Sequence, residues 1–283
     1  MPSPSGAIGP VRVGPDGIPE YRMEGVWSLP VVGPTIPAID PDLIGAFHGV
    51  GAATASAKLH QLGITKTFIQ GPRSNKTGVR AVGRAVTLQF MPMREDIYTD
   101  AGVTQEYVER ATALWAVLDH IVEGDFLVAQ AYGTLRSGVV GEMLAHQLHN
   151  RGGVGLVADG GIRDWQKVCQ IDVPIWSLGP TPHYASQGEL FPWGYHVPVA
   201  VGGVLVLPGD LIVADDDGAV CVPIRRAREV LESALEHEAW EDFSRLRLAN
   251  GGALRRYYPL DETGQAEYEE WEAAGRPGMG SSL

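Results

Sequence analysis

The chain reads as an α/β protein in which a mixed central β structure is covered by helices. Three observations predict it. Short segments dense in β-branched and aromatic residues alternate with stretches whose apolar residues recur at helical spacing. Thirty-six glycines punctuate these segments with tight turns. An apolar content of 45% over 283 residues suffices to bury one full core. The expected organisation is an extended arm over residues 1–40, a single domain over 41–258 and an acidic tail over 259–283.

The first 40 residues are rich in Pro and Gly, with Pro30, Pro34 and Pro37 close together. They read as an arm that wraps the domain or a neighbour, although an unstructured tail fits the same composition. From Pro41 a run of small residues predicts one helix to Leu62, stopped by Gly63. His48 and His60 lie on it without a carboxylate or cysteine at ligand spacing, which makes them structural or exposed. Strands are expected at 67–70 and 84–91. A helix over 104–121 would bury Val108, Ala111, Leu114, Trp115 and Leu118 on one face.

A strand over 126–130 comes next, followed by an amphipathic helix over about 139–150, the turn Gly152-Gly153 and a buried strand over 154–158. Beyond a strand near 173–178, residues 179–197 read as a long loop carrying His183, Tyr184, Glu189, Trp193, Tyr195 and His196. Such a loop is a candidate cleft wall or a surface loop pinned by its aromatics, and the two histidines are assigned at most a substrate contact. Strands near 197–206, 211–214 and 219–222 are joined by Pro208-Gly209-Asp210 and by Asp215-Asp216-Asp217-Gly218. The triple Asp lacks the spaced ligands and closing Glu of a calcium loop, so it reads as a solvated turn. A last long helix over 226–250 presents Val230, Leu231, Ala234, Leu235, Phe243 and Leu246 before Gly251-Gly252 stops it. From Asp261 onward six acidic residues and one Arg suggest a disordered segment or one that packs on a neighbour.

Charge and cysteine usage exclude several classes. A net charge of −12 without a basic stripe argues against a nucleic-acid groove. Cys169 and Cys221 have apolar flanks and no metal-ligand spacing, as expected of two buried free thiols in a reducing cytoplasm. The start of the chain has neither the charge nor the apolar run of a signal peptide, and no segment reaches membrane-spanning length. Gly152-Gly153-Val154-Gly155 precedes a strand, whereas a dinucleotide fingerprint follows one and opens a helix. A cytoplasmic location without membrane or direct nucleic-acid contact is therefore expected.

The most informative stretch is Gly141-Glu142-Met143-Leu144 followed by Asp159-Gly160-Gly161-Ile162-Arg163-Asp164, with twenty residues between Glu142 and Arg163. A helix followed by a strand packed against it returns the start of the helix to the end of the strand. Glu142, Arg163 and Asp164 are thus expected to face one cleft. Asp164 offers hard oxygen to a divalent cation, and Glu142 can hold that cation's waters or ligate it directly; Mg2+ or Mn2+ suits such a set. Arg163 carries the donor fork that matches a carboxylate. The competing reading is a surface ion pair with a helix-dipole contact.

Taken with Pro208-Gly209-Asp210-Leu211-Ile212-Val213-Ala214-Asp215-Asp216-Asp217-Gly218-Ala219-Val220, these motifs resemble the RraA-like family. The likeness extends to Thr67–Gly71, Val82–Leu88 and Gly202-Gly203-Val204, and so covers about residues 45–258. That family includes a protein regulator of ribonuclease E and metal-dependent 4-hydroxy-4-methyl-2-oxoglutarate/4-carboxy-4-hydroxy-2-oxoadipate aldolases. The resemblance implies a swivelling β/β/α architecture assembled as trimers or dimers of trimers. It further implies that Asp164 ligates the metal, Arg163 binds the pyruvyl carboxylate and stabilises the enolate, and Glu142 orders the metal's waters. The amides of Met143 and Leu144 would hold substrate, and Glu241 of an adjacent subunit would reach the water shell, with Glu238 as fallback.

Three departures stand out. Glu142 replaces an Asp, Gln130 replaces the last carboxylate of the family's Gly-Asp-Val-Leu-Val-Val-Asp strand, and Ser56-Ala57-Lys58-Leu59 replaces Ser-Asp-Ala-Leu. The expected function is a divalent-metal lyase that cleaves a small 2-oxo acid, releasing pyruvate by retro-aldol cleavage or decarboxylating oxaloacetate. A protein-binding regulator of the ribonuclease-inhibitor type and a hydro-lyase on sugar acids are the alternatives.

Overall fold

A computed structural model of the chain describes residues 29–94, 112–186 and 189–278, with the backbone of residues 12–13, 19–22 and 28. Two compact units emerge, Met1–Ala227 and Arg228–Leu283. In the first, the short segments Arg12–Val13, Pro19–Arg22 and Ser28–Leu29 pair antiparallel as a small sheet. The rest of the expected arm up to residue 28 lies outside the described residues. After it, β1 (Val31–Val32) joins the main sheet, Ile36 enters the core, and Arg84 holds the carbonyls of Ile36 and Pro37 at 3.2 and 3.1 Å.

Four strands run parallel at the centre: β4 (Ala81–Pro92), β5 (Asp125–Val140), β6 (Gly155–Ile162) and β7 (Ile175–Ser177). Antiparallel strands extend them, with β2 (Phe68–Ile69), β13 (Gly218–Val222) and β12 (Leu211–Asp215) on one side and β3 (Arg73–Ser74) on the other. The path is β2-β13-β12-β4-β5-β6-β7-β3, with β8 (Gly179–Pro180) beside β6 and β9 (Leu190–Tyr195) beside β4 and β1. It is the mixed sheet that the composition implied.

Both faces of this sheet are covered, which explains why β5 and β6 begin as continuous apolar runs rather than alternating ones. On one face Leu127, Ala129, Leu156 and Ala158 pack with Leu114, Val117 and Leu118 of the helix Ala113–His120 and with Ala145 and Leu148 of the helix Glu142–Asn150. On the other, Phe126, Val128, Val157 and Trp176 meet the hairpin of β10 (Val199–Val201) and β11 (Val204–Val206). Trp176 is fully buried and its indole N–H is satisfied by the Asp215 carbonyl at 2.9 Å. Arg84 and Asp125 pair at 2.8 Å where β4 and β5 begin, so the buried carboxylate is compensated.

Several expectations need correction. The first helix is two, Pro41–Phe47 and Ala52–Gln61, because Asp215, 163 positions away, accepts the Ala52 N–H at 2.9 Å and starts the second. The triple Asp is therefore an anchor and not merely a solvated turn; Asp216 also accepts the Gly78 N–H at 3.0 and 2.9 Å. Trp115 is 42% exposed, so the buried stripe of its helix runs through Leu114, Val117, Leu118 and Ile121. Val108 and Ala111 lie outside the described residues. The long loop over 179–197 contains two strands, β8 and β9. Cys221 is buried, while Cys169 is only partly so. Because Asp215 supplies a cap that Gly51 cannot, Asp215→Ala is expected to lower unfolding stability by about 1–2 kcal/mol, read as a lower urea midpoint at unchanged slope.

The second unit consists of the helices Ala227–Ala249, Leu254–Tyr257 and Glu262–Ala273. Phe243, Tyr257, Tyr268 and Trp271 form its core. The acidic segment from Asp261 is thus a helix packed on its own chain, capped by the Asp261 carboxylate on the Gly264 N–H at 2.8 Å. Among the described residues no helix is long and apolar enough to cross a membrane.

Candidate active site

Strands β5 and β6 are parallel, and the helix Glu142–Asn150 is the crossover between them. The start of that helix and the carboxyl end of β6 therefore lie at the same edge. Val140 and Ile162 are partners in the ladder, and the Arg163 N–H donates to the Val140 carbonyl at 3.0 Å. One residue further, both chains leave the sheet, carrying Glu142 on one side and Arg163-Asp164 on the other. Glu142 sits in the first helical turn, where a carboxylate suits the dipole, and Ala145 and Leu148 are the residues this helix buries.

Asp164 has φ +57° and ψ +37°, a left-handed conformation that costs a non-glycine residue about 1–2 kcal/mol. This turn aims its carboxylate back at the helix start, with Oδ2 3.4 Å from the Glu142 N–H. Gly141, the N-cap, offers no side chain of its own, and a Cβ there would stand 2.9 Å from the same oxygen. Glycine is thus what lets the carboxylate approach. Arg163 Nε lies 3.5 Å from Asp164 Oδ2, with the Arg163 side chain 45% exposed. The first-turn N–H groups of Glu142, Met143 and Leu144 have no intrahelical acceptors, which makes this an anion-friendly helix start. Met143 itself is 66% exposed.

Lys167, which no sequence motif marks, completes the cluster. Its Nζ is 2.7 Å from Glu142 Oε2. Glu142 first and Asp164 to a lesser degree hold its ammonium above the ordinary lysine value. Its only sequence signal is the three-residue spacing from Asp164, which has meaning once Trp165–Val168 is known to be a helical turn.

Both pairs are partly exposed, and surface ion pairs of this kind add little to stability. What stability does not require is a strained Asp beside a glycine cap, since strain of this kind concentrates at functional positions. Among the described residues no three His, Cys, Asp or Glu side chains converge as a metal cage. The donor set of two partly exposed carboxylates fits a cation that keeps most of its waters, such as Mg2+ or Mn2+, and does not fit a four-ligand zinc centre.

Other expected site residues separate. Thr181 lies beside the cluster, its N–H donating to the Ile162 carbonyl at 2.9 Å, and the His183 carbonyl packs over Gly138. His196 is elsewhere: its N–H binds the Thr87 carbonyl, its ring meets Tyr195 and His120, and burial lowers its pKa to about 4. Gln130 is buried and accepts the Ala200 N–H at 2.9 Å, so it anchors the hairpin. Lys58 is likewise buried. Asp159, buried in β6, takes the N–H groups of Ala131 and Gly202, and burial raises its pKa. Glu241 belongs to the second unit, where it accepts from Tyr258 at 3.3 Å and pairs with His237 at 3.2 Å.

Fold and cluster together define an α/β protein with a doubly covered mixed sheet whose central βαβ crossover presents an acid, an arginine and an aspartate at one edge. The chain belongs to the RraA-like family: residues 52–221 match the family described as Aldolase/RraA. It is 32% identical over 136 residues to a Halalkalibacterium halodurans protein with the provisional name 4-hydroxy-4-methyl-2-oxoglutarate aldolase, covering 47% of this chain and 63% of that one. It is 25% identical over 219 residues to Protein DlpA of Legionella pneumophila, covering 76% of this chain and 33% of that protein. The chain thus spans a third to under two thirds of these relatives. A crystal structure of Streptomyces coelicolor RraAS2, described as an unusual member of the RNase ES inhibitor RraA protein family, superposes with a TM-score of 0.68 at 51% identity, covering 76% of this chain and all of that one.

Proposed function

We propose that the chain is a divalent-metal-dependent lyase that breaks a C–C bond of a small 2-oxo acid. The observation that carries this reading is the left-handed Asp164, aimed at the start of the Glu142 helix with Arg163 beside it. Arg163 turns from Asp164 to grip the substrate carboxylate with its fork, and the N–H groups of Met143 and Leu144 hold the carboxylate or keto oxygen. Asp164 would hold Mg2+ or Mn2+, with Glu142 on its waters, and the cation would supply positive charge at the keto oxygen. In retro-aldol cleavage the broken bond's electron pair moves to the keto oxygen, giving the pyruvate enolate. The departing carbon's hydroxyl proton must be removed, and a proton must return to the enolate carbon. Glu142 is the acid-base group of the first unit placed for that relay.

The relationship to a protein named as an aldolase supports the lyase reading. Assembly as a trimer or dimer of trimers, with Glu241 of a second copy completing the water shell, is part of the same proposal. The test is a panel of 2-oxo acids, oxaloacetate included, assayed with Mg2+ or Mn2+ and after EDTA. Pyruvate release that EDTA stops and metal restores is expected; turnover indifferent to EDTA refutes the metal role. A second reading, a protein-binding regulator, is favoured by the 51% identity to RraAS2. Inactivity across the panel together with capture and inhibition of a ribonuclease would select it.

A further inference from the structure

The cluster contains two carboxylates and two cationic side chains, so its formal charge sums to zero. Asp164 is balanced by Arg163 at 3.5 Å and Glu142 by Lys167 at 2.7 Å. Adding a divalent cation to this set brings uncompensated positive charge unless the resident cations move. Arg163 has a reason to move under the proposed function, because the substrate carboxylate recruits it. Lys167 has no such partner in that scheme, yet it makes the shorter contact of the two.

Its geometry suits displacement. The Lys167 backbone is fixed to Asp164, whose carbonyl accepts its N–H at 2.9 Å, so the ammonium is tethered one helical turn from the proposed metal ligand. The side chain is 65% exposed, whereas Glu142 is only 23% exposed. The flexible partner can swing into water while the carboxylate stays.

We propose that Lys167 is the internal counter-cation of the Glu142–Asp164 pair, and that a divalent cation binds by displacing its ammonium from Glu142. This inference rests on the metal reading above. Through Lys167 the chain sets a threshold for metal: the ammonium holds the carboxylates in a balanced, closed pair until the divalent concentration is high enough to open it.

The experiment is calorimetric titration of Mn2+ into the full-length wild type, Lys167→Met, Lys167→Arg and Asp164→Asn, at fixed pH and salt. Lys167→Met keeps an unbranched side chain, one atom shorter, and removes the charge; it is expected to tighten Mn2+ binding about tenfold, a Coulomb estimate for an ammonium about 5 Å from the cation in a wet site. Lys167→Arg should stay within about threefold of the wild type because it keeps the charge. Weaker or unchanged binding in Lys167→Met, with Asp164→Asn abolishing it, overturns the counter-cation role while leaving the metal reading intact. Absence of binding in every protein, or binding that Asp164→Asn leaves untouched, overturns both. A crystal soaked with Mn2+ supplies the second readout: the Glu142–Lys167 contact should open beyond 4 Å, and a bound cation with that contact still closed contradicts displacement.

Discussion

Replacing Arg163 with alanine is expected to lower kcat/KM for the 2-oxo acid by about 100- to 1000-fold while leaving the fold intact. The first half follows from chemistry. A guanidinium that grips the carboxylate and faces charge developing on the neighbouring oxygen acts as a preorganised electrostatic group, and removal of one such donor costs about that much. The second half follows from exposure. The side chain is 45% exposed and its ion pair among the described residues is the 3.5 Å contact with Asp164, so stability should change by less than about 1 kcal/mol. Arg163→Lys should recover little, since an ammonium lacks the fork that meets both carboxylate oxygens. Steady-state kinetics beside a thermal melt separate the two halves. Unchanged kcat/KM, or a collapsed melt, would remove Arg163 from the site.

Asp164→Asn is expected to weaken divalent binding by at least about 100-fold and to abolish turnover with it, since the substitution removes the proposed ligand's charge while keeping its shape. Asparagine is the right replacement because the backbone here is left-handed, φ +57°, a region that Asn tolerates better than most residues. Asp164→Ala mixes two effects, the lost ligand and a strained backbone without a polar side chain to bond the Glu142 N–H. The comparison is informative: the two variants should be equally inactive, with the alanine form less stable by about 1 kcal/mol. Metal titration and urea unfolding on both proteins provide the check. An Asn variant that still binds metal and turns over at the wild-type rate would refute the assignment.

The part of the site legible in the sequence is the part written in one local unit. The helix Glu142–Asn150 and β6 are neighbours in the chain, so the twenty-residue spacing translates directly into proximity. The reason is stronger than helix-on-strand packing: β5 runs on to Val140, which makes the unit a full βαβ crossover. That extension was hidden because Tyr132 and Gly133 take φ +55° and +70° and the register with β6 shifts repeatedly between Ala129 and Val140, which erases any strand period. Strand β9 was missed for a related reason. It contains Pro192 and Gly194, two residues that normally argue against a strand, accommodated here at a register shift.

Long-range partnerships were illegible for a different reason. Nothing local to Gly51 or Ala52 says that Asp215 will cap the second helix, and nothing in Gln130 says that it will hold Ala200. Lys167 was overlooked because a four-residue helix carries no periodic signal. The acidic tail hides a helix whose apolar residues carry a short signal: Tyr268 and Trp271 share a face at three-residue spacing and meet Phe243. Net negative charge masks that signal, because Glu262, Glu269, Glu270 and Glu272 stay exposed while Glu267 is held by Arg247 and Arg256.

The most direct test of the account is a crystal structure of the protein with Mg2+ and oxalate, a planar dianion that resembles the pyruvate enolate. The account predicts the cation on the Asp164 carboxylate, oxalate chelating it, and the free end of the anion in the fork of Arg163 beside the amides of Met143 and Leu144. Oxalate bound elsewhere, or an Arg163–Asp164 pair still closed under saturating ligand, would contradict it.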